Sequence, residues 1–285
     1  MQVIITIAGL GQRFKSEGHD VPKPLVSVMG KPAISYLISC MNPEWNLFFA
    51  IGEHYKNSQL EKVIKKLSPR AQIFYVPYSE RGPIDTVSAV LHKLNSDQAV
   101  AVSYCDYWML WDSDYFEKFL QDMNCDICIP SYQGFHPTYL GPNSYAHLKV
   151  NSETDEVQKI QEKQLFGKNI QQEWTSTGFY YFKSVELLKK GLQLQLQKKL
   201  KYGNEFYTSL AAQALLDDSV PAAVTPRIMN YKISHFMQLG TPTDVALVEH
   251  WFKFIQIDMR KNEFEPNSEQ NKLYHYWQTV FKKLF

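Results

Sequence analysis

The residues best placed to do chemistry follow the first apolar run of the chain. Ala8-Gly9-Leu10-Gly11-Gln12-Arg13-Phe14 comes directly behind it, and Pro22-Lys23-Pro24-Leu25 places Lys23 ten residues after Arg13. Glycines in such a turn let backbone N–H groups approach a phosphate without a Cβ in the way. A Gly-x-Gly pair alone matches many loops by chance. It is not the dinucleotide fingerprint, because the third glycine position holds Phe14, and no Gly-Lys-Ser/Thr follows to make a P-loop. The two cations raise its value. Arg13 offers a planar fork for a triphosphate tail, and Lys23, stiffened by a proline on each side, offers a point charge.

The elements that must hold these groups are legible as alternating patterns. Val3–Ile7, Leu47–Ile51, Gln72–Val76 and Ala99–Ser103 have the length and composition of strands. Between them, Ile34, Leu37, Ile38 and Met41 share one helical face. Leu60, Val63, Ile64 and Leu67 repeat that spacing, as do Val87, Val90, Leu91 and Leu94. The pattern predicts a doubly wound, Rossmann-like α/β fold whose mixed sheet is mostly parallel. Ligands of such sheets bind beyond the carboxyl ends of the strands, where Asp106 follows the fourth one.

The second half is more mixed. Asp114 and Glu117 have capping-box spacing before an apolar face of Phe116, Phe119, Leu120 and Met123. Residues 131–145, rich in Gly, Pro, Asn and Tyr, predict a long irregular loop containing His136. Ala146–Val150, Val157–Ile160 and Gly178–Phe182 read as strands and Ser209–Leu216 as a short helix. Beyond Asp244 the chain reads as helical, with a break around Asn262–Ser268 and a closing helix from Lys272 to Phe285. This gives a catalytic domain over 1–250 and a C-terminal helical extension over 251–285. Tyr274, Trp277, Val280 and Phe281 on that last helix either cover the core or pair with a second copy, which leaves a homo-oligomer open.

Composition narrows the function classes. Of 285 residues, 45% are apolar and 21% charged, which excludes wholesale disorder. Thirty Lys and Arg against 29 Asp and Glu give +1, so neither nucleic acid nor a membrane surface is indicated as a partner. No run of ~18 apolar residues exists to span a bilayer. The apolar N-terminus lacks the basic flank and cleavage site of a signal peptide, so the expectation is a soluble, cytoplasmic protein. Cys125 and Cys128 have CxxC spacing, yet no second pair or His pair completes a zinc site; they read as the entry to a buried strand. Tyr104, Tyr107, Trp108, Trp111, Tyr139 and Tyr145 either pack or form a stacking wall.

The string AGLGQRF…PKPL resembles the signature of the sugar-phosphate nucleotidylyltransferases, which join an NTP to a phosphorylated sugar or small alcohol and release pyrophosphate. The resemblance runs on through Gly30-Lys31-Pro32, Gly82-Pro83, Asp106, Glu162-Lys163, Thr177-Gly178-Phe179-Tyr180 and Gly240-Thr241-Pro242-Thr243-Asp244, covering about residues 1–250 in order. Ser103-Tyr104-Cys105-Asp106-Tyr107 and Asn204-Glu205-Phe206-Tyr207 are similar to a bacterial surface-polysaccharide branch. The resemblance implies a GT-A-like nucleotidyltransferase fold. It implies that Ala8, Gly9, Leu10 and Gly11 line the nucleotide, that Arg13 and Lys23 grip its phosphates, and that Gly82 and Pro83 lie against the base. Asp106 would hold Mg²⁺. Glu162, Thr177 and Gly178 would contact the sugar, and Lys163 its phosphate.

Two positions depart from that pattern: Gln12, where a small Ser or Thr is commoner, and, more consequentially, Gln238. Where the family usually has a second metal-binding Asp, two residues before the glycine of Gly-Thr-Pro, this chain has Gln238. An amide oxygen can ligate Mg²⁺ but lacks the carboxylate's charge. The implied reaction has an acceptor phosphate attack the α-phosphorus of an NTP, with Arg13, Lys23 and Asp106 carrying the catalysis. Such transfers depend on positioning and charge neutralisation rather than a base. The product would be a precursor for capsule or lipopolysaccharide. Two alternatives remain. Asp112-Ser113-Asp114 could be the DxD of a glycosyltransferase using a sugar nucleotide, although it also suits a helix cap. Gln238 could instead mark a catalytically impaired nucleotide- or sugar-binding homologue.

Overall fold

Four apolar segments form the parallel half of the main sheet. They are β1 (Gln2–Ile7), β4 (Asn46–Gly52), β5 (Gln72–Val76) and β6 (Val100–Tyr104). In the computed structural model of the protein, which describes residues 1–18, 21–139, 144–216, 225–257 and 268–284, β1 pairs in parallel with β4 on one side and β6 on the other. Strand β5 extends the sheet beyond β4. Val3, Ile4 and Ile5 are fully buried, as a strand covered on both faces requires. Val3, Ile5 and Ile7 join one apolar cluster and Ile4 the other, following the period-two alternation of side chains.

Helices α2 (Ala33–Ser39) and α3 (Leu60–Leu67) cover one face, and α4 (Pro83–Val90) the other. Short elements α1 (Gln12–Ser16), β2 (Ser27–Val28) and β3 (Lys31–Pro32) lie between β1 and α2. The second half adds an antiparallel wing. After β7 (Tyr107–Leu110) and α5 (Ser113–Asp122) come β8 (Ile127–Tyr132), β9 (Ala146–Val150), β10 (Val157–Glu162), β11 (Trp174–Ser176) and β12 (Phe179–Phe182). Among the described residues the sheet has ten strands, in the order β10-β9-β11-β8-β12-β6-β1-β4-β5, with β13 (Ile228–Lys232) pairing in parallel with β8. Helices α6 (Val185–Gln197) and α7 (Thr208–Leu215) cover its second face. The expected mixed, doubly wound fold is therefore present.

A separate two-stranded ribbon pairs β7 with β14 (His235–Gln238). Neither strand is announced by the sequence pattern. After it come α8 (Pro242–Ile257) and α9 (Glu269–Leu284). Residue 250, the expected domain boundary, falls inside α8. Trp277, Val280 and Phe281 on α9 are buried in the main core, so this face of the last helix covers the chain's own interior. Of the expected break around Asn262–Ser268, residues 262–267 lie outside the described residues.

Candidate active site

The loops leaving β1 and β6 open onto a cavity of about 380 Å³. Its rim is completed by Lys23 and Pro24, by the end of β14, and by Glu205 and Tyr207. Gly11 has φ 66° and ψ 29°, the left-handed conformation that ends the strand exit and starts α1. The Tyr55 hydroxyl donates to the Gly9 carbonyl at 3.1 Å and braces this turn. Arg13, on α1, lines the same cavity. The Lys23 ammonium donates to Asp106 Oδ2 at 2.6 Å, with the two side chains only 25% and 18% exposed. Burial by itself would lower the Lys23 pKa, but the Asp106 carboxylate outweighs it and holds the value above the ordinary lysine range.

The ribbon accounts for what stands beside Asp106. Its register sets Gln238 opposite Tyr107, and the Leu239 N–H donates to the Asp106 carbonyl at 2.7 Å. Gly240 passes close to that carboxylate: a Cβ there would lie 2.7 Å from Asp106 Oδ2 and force it to shift. Gln238 Nε2 donates to Asp244 Oδ2 at 2.9 Å. Asp244 is wholly buried, its Oδ1 has no hydrogen-bond partner, and burial raises its pKa. Gln238, unlike Asp244, lines the cavity. The oxygen-bearing lining residues beside the ribbon are thus a carboxylate, Asp106, and a neutral amide, Gln238. Both are hard donors of the kind Mg²⁺ takes, so this donor set fits the ion.

Lys163 brings a third cation to the cavity from the end of β10, with φ 54° at its own backbone. Its ammonium donates to the Tyr207 hydroxyl at 2.5 Å, and that hydroxyl donates in turn to Glu205 Oε2. Burial lowers the Lys163 pKa, opposed by Glu162 and Glu205. Glu205 and Phe206 are clamped to the turn that opens α4. The Phe206 N–H donates to the Arg81 carbonyl at 2.8 Å, and a Cβ on Gly82 would meet Glu205 Cβ at 3.0 Å.

Of the residues singled out in the sequence, Gly9, Leu10, Gly11, Arg13, Lys23, Pro83, Asp106, Lys163 and Gln238 line this one cavity. Ala8, Gly82, Glu162, Thr177 and Gly178 do not. Glu162 is buried and accepts a 2.5 Å hydrogen bond from Ser209 Oγ; desolvation pushes its pKa up to about 7. Gly178 sits beneath two lining rings, where a Cβ would meet Tyr104 at 2.9 Å and Tyr145 at 3.0 Å. Thr177 is fully buried and its N–H donates to the Pro130 carbonyl. Gly82 shapes the turn rather than the cavity wall. Its φ of 79° and ψ of −149° are open essentially to glycine alone.

The structure decides several readings that the sequence left open. Of the six-ring wall, only Tyr104 and Tyr145 reach the cavity, where Tyr55, Tyr78 and Tyr207 join them. Tyr107 is wholly buried against Ser103, and the Trp111 indole donates to the Cys40 carbonyl. Asp112, first residue of the DxD, accepts from the N–H groups of Asp114 and Tyr115 as the cap of α5. The anticipated Asp114–Glu117 box does not form. Asn42 and the Trp45 indole donate to those two side chains instead. His136 is a buried packing residue whose Nδ1 accepts from the Phe236 N–H. Cys125 and Cys128 are buried free thiols, and no cluster of His, Cys, Asp or Glu able to hold a metal exists among the described residues.

A doubly wound sheet whose carboxyl edge gathers Arg13, Lys23 and Lys163 around Asp106 has the organisation of a nucleotidyltransferase. The sequence profile of the MobA-like NTP transferase domain matches residues 3–168, and the chain belongs to that family. Solved structures share the fold. The nucleoside-diphosphate-sugar pyrophosphorylase of Vibrio cholerae RC9 superimposes with a TM-score of 0.67 at 17% identity, over 86% of this chain and 98% of that one. The inositol-1-phosphate CTP transferase of T. maritima gives 0.63 at 17% identity, over 87% and 94%. HddC of Yersinia pseudotuberculosis, complexed with GMP-PN, gives 0.55 at 18% identity, over 86% and 96%. No curated protein matches the sequence.

Proposed function

We propose that this nucleotidyltransferase joins an NTP to the phosphate of a sugar phosphate, or of a small phosphorylated alcohol. An oxygen of the acceptor phosphate forms a bond to the α-phosphorus while the bond to the bridging oxygen breaks and pyrophosphate leaves. A phosphate monoester is largely ionised at neutral pH, its second pKa being ~6, so no protein base has to remove a proton. Arg13 and Lys23 bind and orient the triphosphate and offset charge on the leaving pyrophosphate. Lys163, held by Tyr207, binds the acceptor phosphate. Mg²⁺, held by Asp106 with the Gln238 amide beside it, would supply charge neutralisation when bound. The product would be an activated precursor for capsule or lipopolysaccharide, made in the cytoplasm.

The observation that carries this reading is the meeting of Arg13, Lys23, Asp106 and Lys163 on one cavity. The glycosyltransferase alternative loses its motif, since Asp112 is occupied as a helix cap. The test is pyrophosphate release across four NTPs and a panel of phosphorylated sugars and alcohols, with and without Mg²⁺. Metal-dependent release with at least one pair is expected. Silence across the panel, with nucleotide still raising the melting temperature, would instead support a binding protein disabled at Gln238.

A further inference from the structure

Asp106 Oδ2 is closed in from two sides. The Lys23 ammonium lies 2.6 Å away, and the backbone of Gly240 is so near that a Cβ there would stand 2.7 Å from the same oxygen. A divalent cation on that oxygen would put two positive charges on one atom, so Lys23 must move first. Pro22 and Pro24 restrain the backbone around it, which leaves the side chain to do the moving. We propose that Lys23 locks Asp106 against a bare divalent cation, and that the lock opens only when nucleotide phosphates give the ammonium another anion to hold. The proposal rests on the nucleotidyl-transfer reading given above.

The charges around the cavity favour the same order of events. Among its described lining residues, Arg13, Lys23 and Lys163 face Asp106 and Glu205, an excess of one positive charge. Glu205 already accepts from Tyr207. The position beside Asp106 adds no charge, because Gln238 is neutral and its Nε2 is turned toward Asp244. The cavity therefore repels a free cation and attracts a polyanion. With both partners of the ion pair less than a third exposed, water screens it only partly. Nucleotide and metal should then strengthen each other's binding by one shared factor.

The experiment measures Mn²⁺ binding to the full chain by electron paramagnetic resonance, with and without an α,β-methylene NTP analogue whose own binding is followed by calorimetry. Wild-type protein should bind Mn²⁺ weakly alone and at least ~10-fold more tightly with the analogue. Lys23→Met should bind Mn²⁺ alone at least ~10-fold more tightly than wild type and lose most of the gain from the analogue. Equal Mn²⁺ affinity of the wild type in the two states, with the analogue shown to bind, overturns the lock and leaves nucleotidyl transfer standing. Failure of every analogue to bind overturns both. Because the analogue's phosphates bind Mn²⁺ themselves, the deciding comparison is Lys23→Met against wild type without nucleotide, where equal affinity overturns the lock; Lys23→Gln takes its place if Lys23→Met fails to fold.

Discussion

Asp106 illustrates how single side chains divide the work. Its carboxylate meets Lys23, and the Gly240 backbone passes beside it. Asp106→Asn and Lys23→Ala should each lower turnover by at least ~100-fold, read as pyrophosphate release, with an unchanged far-UV circular dichroism spectrum. Near-normal rates in either variant would remove that residue from the proposed chemistry. Glu162 makes a different prediction, because it lies off the cavity. Its folded pKa of about 7 is raised above the ordinary 4.5, so the protonated form is the one the fold favours. The stability it contributes is intact below pH 4.5 and is lost as the pH rises through about 7. Glu162→Gln should therefore melt higher than wild type by about 5 °C at pH 8, the difference vanishing at pH 4.5 by scanning calorimetry. Arg13, Lys23 and Asp106 were legible in the sequence because each sits in a turn after a readable strand or in a distinctive string. Tyr55 carried no such signal, and Tyr207 stood only in the string Asn204-Glu205-Phe206-Tyr207 with no role attached: what brings both to the cavity is tertiary packing, which no local spacing encodes.

Among the elements, the parallel strands and their helices follow from apolar periodicity, and the limits of the strands, α2 and α3 fall within a residue or two of those expected, while α4 ends at Val90, short of the expected Leu91 and Leu94. The β7–β14 ribbon does not. Each strand has four residues, and its partner lies far along the chain, so no window contains both. That ribbon is nevertheless what sets Gln238 beside Asp106. The capping of α5 was misplaced by two residues because Asn42 and Trp45, from a distant segment, claim the side chains of Asp114 and Glu117. Asp112→Ala should accordingly cost about 1 kcal/mol in denaturant unfolding while leaving nucleotide binding intact. Gly82→Ala should cost more, about 1–3 kcal/mol, since its backbone conformation excludes a Cβ and Glu205 stands against it. If Gly82→Ala melts like wild type, the turn before α4 is not held as described.

For the molecule as a whole, two buried neutral imidazoles make it sensitive to acid. Desolvation pushes both His136 and His147 down to about 4 from the ordinary 6.5. The unfolded chain takes up these protons first, so the stability is present above pH 6.5 and lost as the pH falls toward 4. Scanning calorimetry should show the melting temperature dropping over that interval, less steeply in His147→Gln. The last helix belongs to the same cooperative unit, because Trp277 is almost fully buried in the main core. Trp277→Ala should lower stability by about 3–5 kcal/mol in a single transition. The late arrival of β14 has a consequence for biosynthesis. A nascent chain displays the glycine turn, Lys23 and Asp106 long before residues 235–241 leave the ribosome to close the ribbon. Nucleotide capture should thus be absent from stalled chains ending near residue 200 and appear abruptly once that ribbon has emerged.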